Sequence, residues 1–216
     1  MKVNRDMVIR AGLKILNEVG LEQLTLRLLG RELKVQAATL YWHFKSKEEL
    51  IDAMATTVLA EGAAQLIPAK DSPDWRVWAG SFGTGLRKTL LAYRDGARMV
   101  AGTRLTDTGH MKTAERIAAK LIESGFTIRQ TVVLLSTIYN YTLSFVMEEQ
   151  VVFPRPGERS ARYNVKERNA KLDAGELPIH RQAGAILFDQ FDRRYKEGLG
   201  LILLGARHSR GRKAVL

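Results

Sequence analysis

Gln36-Ala37-Ala38-Thr39-Leu40-Tyr41-Trp42-His43-Phe44 gathers side chains suited to recognition by hydrogen bonds rather than to bond making. An amide such as Gln36 can donate to and accept from one base edge, and Ala37 and Ala38 let a backbone approach bases and touch thymine methyls. Thr39, Tyr41, Trp42 and His43 offer donors to phosphate oxygens, and Lys47 can pair with the nucleic-acid backbone. Leu40 and Phe44, four apart, share one helical face and are read as core. No carboxylate or nucleophile accompanies His43 at a telling spacing, so a phosphate contact is preferred to a catalytic base. His110 and His180 stand apart and read as loop or pocket-rim residues.

The rest of the chain supplies little for catalysis. There is no G-x-S-x-G, P-loop, H-E-x-x-H or G-x-G-x-x-G string. The absence of cysteine excludes disulfides, thiolate metal sites and thiol nucleophiles. No metal, cofactor or catalytic residue is therefore expected. The formal net charge of +11 favours a polyanion, whether DNA, RNA or an acidic membrane face, without choosing among them. The first residues form no apolar leader and no apolar run is long enough to span a bilayer, so a cytoplasmic protein without a membrane partner is expected.

The elements that must hold the recognition residues are all helical, and strand signals are weak throughout. Val8, Gly12, Ile15 and Val19 mark a first helix closed by Gly20, and Thr25 caps a second that turns Leu29 and Leu33 inward. After a break at Lys34-Val35 a third helix runs from Gln36 to about His43. The turn carries Lys34 where glycine is usual, and a left-handed residue there costs about 1 kcal/mol relative to glycine. Ser46-Lys47-Glu48-Glu49 matches a capping box and opens a long helix to about Leu66. Two prolines make residues 67–73 a linker, and Ser72 before Pro73 reads as the cap of a helix reaching about Tyr93. A short helix near Asp95–Ala101, another over about Asp107–Ser124, and a long apolar one from Thr127 to about Gln150 follow. Phe153–Glu176, rich in proline, glycine and arginine, reads as a mobile connection with room for one helical turn. Helices from Pro178 to about Phe188 and from about Asp192 through Leu204 complete an all-α chain, with a basic tail beyond Arg207. The expected division is residues 1–46, a helix-turn-helix domain; 47–66, a connecting helix; 67–206, a helical domain; and 207–216, the tail.

Two short helices joined by a tight turn, the second rich in small and polar residues, form the helix-turn-helix pattern. The strings Gly20-Leu21-Glu22-Gln23-Leu24-Thr25 and Thr39-Leu40-Tyr41-Trp42-His43-Phe44-Lys45-Ser46-Lys47 resemble the signature of the tetracycline-repressor (TetR) family. Tyr93-Arg94-Asp95-Gly96-Ala97-Arg98, Gly102-Thr103-Arg104, Glu123-Ser124-Gly125-Phe126, Tyr141-Thr142-Leu143 with Glu148, and Leu187-Phe188-Asp189 resemble the family's tetracycline-binding branch. The resemblance covers nearly the whole chain and is weakest at residues 153–177.

The resemblance implies a ligand-responsive repressor that binds double-stranded palindromic operator DNA as a homodimer and is released by a small-molecule inducer. The long helix at Thr127–Gln150 and the last helix of each subunit would form the dimer's four-helix bundle. It adds Thr25 and Arg27 to the DNA-binding residues, Arg27 being able to fork onto a guanine. It also assigns ligand-contacting positions to Ala63, Phe82, Leu86, Val100, Thr103, Arg104, Arg116, Asn140 and Glu148. Several of these depart from the family pattern. Val100 replaces a metal-binding histidine and cannot ligate an ion, which argues against tetracycline–magnesium. Ala63, Phe82 and Leu86 point to a larger or more apolar ligand. Arg104 reads equally as a helix-capping or salt-bridging residue and as part of the pocket. Glu148 is either a solvated carboxylate or a pocket one. Asn140, read as a buried amide, needs a ligand or a neighbouring helix as partner, the ligand being preferred. Ala37-Ala38 replaces a glutamine and a proline, so the operator should differ. Two rivals stand beside this reading: an activator or inducer-independent regulator of the same fold, and, more remotely, an enzyme with an accessory DNA-binding domain.

Overall fold

The computed structural model describes residues 3–104, 106 and 109–209, apart from the side chains of His110 and Ser209. His110 as a pocket-rim side chain, and the tail from residue 210 onward, lie outside that set. The described chain is helical, and an isolated bridge between Arg155 and Glu158 is its only β pairing.

The first helices begin where short polar side chains cap them. Asn4 accepts from the amide of Met7 to start α1 (Arg5–Val19), and Thr25 accepts from that of Leu28 to start α2 (Leu26–Glu32). Gly20, at φ 82°, closes α1 with its amide on the Leu16 carbonyl. The α2–α3 turn places Lys34 at φ 56°, in the left-handed region expected of it. The reading helix is shorter than its pattern suggests: α3 is only Ala37–Leu40, and His43 and Phe44 both return their amides to the Leu40 carbonyl. Ser46 caps α4 (Lys47–Gly62), but the capping box is displaced. The Glu49 carboxylate takes the amide of Lys45 at 2.9 Å, not that of Ser46, because Arg5 holds its other oxygen at 3.2 Å.

A 3₁₀ turn (Ala63–Leu66) leads to the linker. Asp74, not Ser72, caps α5 (Trp75–Leu91). Asp74 accepts from the Arg76 amide while its carboxylate chelates the Arg76 guanidinium, and Ser72 accepts from the Asp74 amide instead. Gly85 admits the 3₁₀ turn to α5: a Cβ there would lie 1.9 Å from the Gln65 carbonyl oxygen. Then come α6 (Gly96–Val100), α7 (Gly109–Glu123) and α8 (Ile128–Val152), the last opened by a complete capping box between Thr127 and Gln130. Residues 153–176 are more structured than their composition suggests. They hold α9 (Val165–Ala170), and Arg168 and Asn169 bond the His180 and Arg181 carbonyls of α10 (Pro178–Asp189). The chain continues into α11 (Phe191–Ser209).

Two apolar clusters form the core. One joins α1 to α4 with Leu86 and Leu90 of α5, Met99 and Val100 of α6, and Leu143 and Val146 of α8. The other joins Trp75 and Trp78 to Phe126, Ile138, Phe145, Phe191 and Tyr195. Tyr195 is 1% exposed, 2.7 Å from the Thr142 hydroxyl, and burial pushes its pKa up to about 12. An unfolded tyrosine titrates near 10, so the protonated ring contributes stability present below about pH 10 and lost as pH rises through about 12. A shift of that size corresponds to about 2–3 kcal/mol. Melting measured between pH 9 and 11.5 should fall less steeply in Tyr195→Phe than in the parent, and equal slopes would mean that another group governs the alkaline limb.

Candidate nucleic-acid interface and C-terminal domain

The expected reading residues separate by burial. Leu40 and Phe44 are fully buried, whereas Tyr41 is 55% and Trp42 90% exposed. Arg27, Gln36, Ala38 and Thr39 are also exposed, and Ala37 and His43 half-buried. The turn, α3 and the residues after it thus offer an amide, two small side chains, hydroxyls, an indole and a phenol to the outside, over a packed base. Thr25 is exposed as well, its hydroxyl engaged with the Leu28 amide.

Two residues that support this surface escaped sequence reasoning. Arg5 lies with its guanidinium carbon 4.1 Å from the centre of the Phe44 ring, donates to the His43 carbonyl at 2.6 Å and pairs with Glu49. It ties the N-terminus to the end of the reading segment. The bond from the Lys45 amide, and after it that from Arg5, holds the Glu49 carboxyl below its usual range. Gly30 lets α2 meet the turn, since a Cβ there would lie 2.9 Å from the Val35 carbonyl oxygen. A lone glycine within a helix is the only signal of that approach that can be read before the fold is seen.

Lys47 has a structural duty. Its ammonium donates to the carbonyls of Leu21, at 2.8 Å, and Glu22, at 3.3 Å, bracing the loop between α1 and α2. Hydrogen bonds from a charged donor contribute about 1.5–3 kcal/mol. Lys47→Ala should therefore lower the melting temperature of the free protein by several degrees. Unchanged melting with weakened DNA binding would assign the ammonium to phosphate alone.

The elbow between α5 and α6 is bolted to the reading domain. Asp95, left-handed at φ 55°, accepts from the Leu21 amide at 2.9 Å, and the Arg94 amide donates to Asn17 at 2.9 Å. Arg94 and Arg155 both donate to the Glu18 carbonyl at the end of α1. Gln150, buried on α8, accepts from the Ala97 amide and donates to the Leu90 and Tyr93 carbonyls, clamping the same elbow from the other side. After α6, the Arg104 amide reaches Asp52 and the Thr106 amide reaches Thr56, both on α4.

The expected ligand residues are not all brought together. Leu86 and Val100 are buried in one core, with Phe82 and Tyr139 each half-buried against it. Ala63 begins the 3₁₀ turn, and Thr103 turns its hydroxyl onto the Val100 carbonyl at 2.8 Å. Arg116 is exposed, with its guanidinium carbon 5.4 Å from the centre of the Trp78 ring. Glu148 is exposed near Arg194, and it is its neighbour Glu149 that is buried. Asn140, read as a buried amide, instead stands exposed on α8, because the helix turns Ile138 and Thr142 inward around it. No group of three or more histidine or acidic side chains among the described residues could hold a metal ion. Val100, where the resemblance has a metal-binding histidine, is 2% exposed among apolar side chains and has no atom that could ligate an ion.

Comparison with known proteins agrees with this architecture. A family model described as bacterial regulatory proteins, tetR family, matches residues 8–54, and a second, described as tetracyclin repressor-like, C-terminal domain, matches residues 67–209. The class A tetracycline repressor of transposon 1721 from Escherichia coli is 38% identical over 206 residues, which span 94% of this chain and 90% of the relative. A possible TetR family transcriptional regulator from Streptomyces coelicolor A3(2) superposes with a TM-score of 0.84 at 31% identity, covering 96% of this chain and 100% of the other. The class A repressor in complex with 5a,6-anhydrotetracycline and magnesium superposes with a TM-score of 0.68 at 33% identity, covering 96% and 99%.

Proposed function

The chain belongs to the TetR family of bacterial regulatory proteins, and from that premise we propose that it is a ligand-responsive repressor, holding a palindromic operator as a homodimer until a small molecule releases it. Residues 1–46 bind DNA, 47–66 connect, and 67–206 bind the ligand and the second subunit. The protein acts by binding rather than turnover, in the cytoplasm. Gln36, Ala37, Ala38 and Arg27 supply sequence preference. Thr25, Thr39, Tyr41, Trp42, His43 and Lys47 contact the backbone. Two such heads enter successive major grooves about 34–36 Å apart.

The observation that carries the reading is the shared core. Leu86 and Val100, assigned to ligand binding, pack in the same apolar cluster as α1 to α4. Displacing α6 moves the elbow at Asp95 and the Asp52 and Thr56 anchors on α4. A ligand drives release only through its different affinity for the two arrangements. Phe82, Leu86 and Val100 favour an apolar ligand, with Ala63, Thr103, Arg104 and Arg116 around it, over tetracycline–magnesium.

The experiment is binding of the purified protein to DNA from its own upstream region across a range of salt, with and without candidate compounds. Tight binding to a palindrome, weakening steeply with salt, and release by a compound other than tetracycline–magnesium are expected. Release by tetracycline–magnesium would overturn the ligand assignment, and failure to bind any specific DNA would overturn the whole reading.

A further inference from the structure

The exposed face of α8 is unusual for a surface. Val133, Thr137, Asn140, Ser144, Met147 and Val151 are all exposed and are spaced alternately by four and three, so they form one stripe along the helix. Between Arg129 and Glu148 the helix has no charged residue. The larger apolar side chains lie toward the ends of the stripe and the small polar ones at its middle. Asn140 is the midpoint of α8, twelve residues from each end.

The last helix shows a matching feature. Leu201 and Leu204 are exposed on α11, and a Cβ added at Gly200 or Gly205 would meet nothing within 4 Å. Glycine inside a helix is less favourable than alanine, and no contact among the described residues requires it at either place. The open space outside both leaves room for a second backbone to approach closely.

Resting on the homodimer reading above, we propose that α8 crosses its own copy at Asn140, so that the two Asn140 amides meet on the two-fold axis and set the register and partner choice of the dimer. In a two-fold interface the only residue that can meet itself is one on the axis. Small side chains at positions 137, 140 and 144 permit the closest approach at the middle of the helix. An amide buried there must be hydrogen-bonded, and a second Asn140 supplies both a donor and an acceptor. A single buried asparagine among apolar contacts lowers stability but excludes registers and partners that leave it unpaired. Asn140 then serves dimer identity and is not part of the ligand pocket.

The chain has no cysteine, so a thiol introduced at one position reports on that position alone. Asn140→Cys, exposed to mild oxidant, should become a covalent dimer, because a disulfide requires Cβ atoms about 4 Å apart. Arg129→Cys, near the start of α8, should not. Mixing Asn140→Asp with Asn140→Lys should give heterodimer well above the statistical share of about half, since like charges oppose each homodimer. Asn140→Leu should tighten self-association at least tenfold. If Asn140→Asp alone fails to fold, the disulfide and the leucine variant still decide the matter. A parent protein that sediments as a dimer while Asn140→Cys stays uncrosslinked and the charge variants mix statistically would overturn the placement of Asn140 but leave the dimer standing. A parent that sediments as a monomer at micromolar concentration would overturn both.

Discussion

Glu149→Leu is expected to destabilise the protein by about 3–5 kcal/mol, a large fraction of what holds a domain together. Glu149 accepts two hydrogen bonds from Arg87, at 2.6 and 2.9 Å, and their side chains are only 10% and 12% exposed. The Arg87 guanidinium also lies 5.1 Å from the Tyr195 ring centre and donates to Asp192 at 2.7 Å. Burial works against that charge, but the bonds to Glu149 and Asp192 outweigh it and raise the pKa of Arg87. Removing Glu149 strands the cation with one carboxylate that is itself 84% exposed. The loss comes mostly from the unpaired charge and not from the pair's net worth. Arg87→Met combined with Glu149→Leu should therefore recover most of the stability, to within about 1–2 kcal/mol of the parent. Urea unfolding at one fixed protein concentration, needed because a dimer's midpoint depends on concentration, measures both. A double variant as unstable as the single would show that the helices need the ion pair itself to pack.

That network also marks where the sequence stopped being informative. Local chemistry was legible: Lys34 takes the left-handed turn because a helix-turn-helix demands one there, and Thr127 with Gln130 caps α8 within four residues. Where two neighbours could both cap, the choice was not legible. Asp74 prevails over Ser72 because Arg76 fixes its carboxylate. Pairings across long separations were invisible. Arg87 and Glu149 are 62 residues apart, and Arg5 meets Glu49 across 44. No periodicity links such pairs, because tertiary packing brings them together after the helices exist. The division of residues 40–44 into inward Leu40 and Phe44 and outward Tyr41 and Trp42 was legible, since the inward pair has a fixed spacing. The exposure of Asn140 on α8 was not, although the resemblance gave that helix to a dimer bundle. Its periodicity shows that one side is buried, but a stripe of valine, threonine and asparagine reads as core until the helices packed against the other faces are seen.

Trp42→Ala should leave folding stability within about 0.5 kcal/mol of the parent while greatly weakening operator binding. The side chain is 90% exposed, so its removal leaves no cavity and breaks no contact of consequence in the free protein. Phe44, two residues on, is fully buried in the core and stacked under Arg5. Phe44→Ala should cost about 3–5 kcal/mol of stability and lose DNA binding only because the domain unfolds. An indole covered on complex formation, with its N–H on a phosphate, is worth about 1–2 kcal/mol per subunit. Two subunits on one operator double that, so the affinity should fall roughly thirty- to several-hundredfold. The slope of log affinity against log salt should barely change, since no cation is lost. Arg27→Ala should both weaken binding and relax the preference for one base pair, by about 1–3 kcal/mol. Wild-type affinity in a folded Trp42→Ala protein would remove the segment Tyr41–His43 from the interface and leave the exposed aromatic without a function.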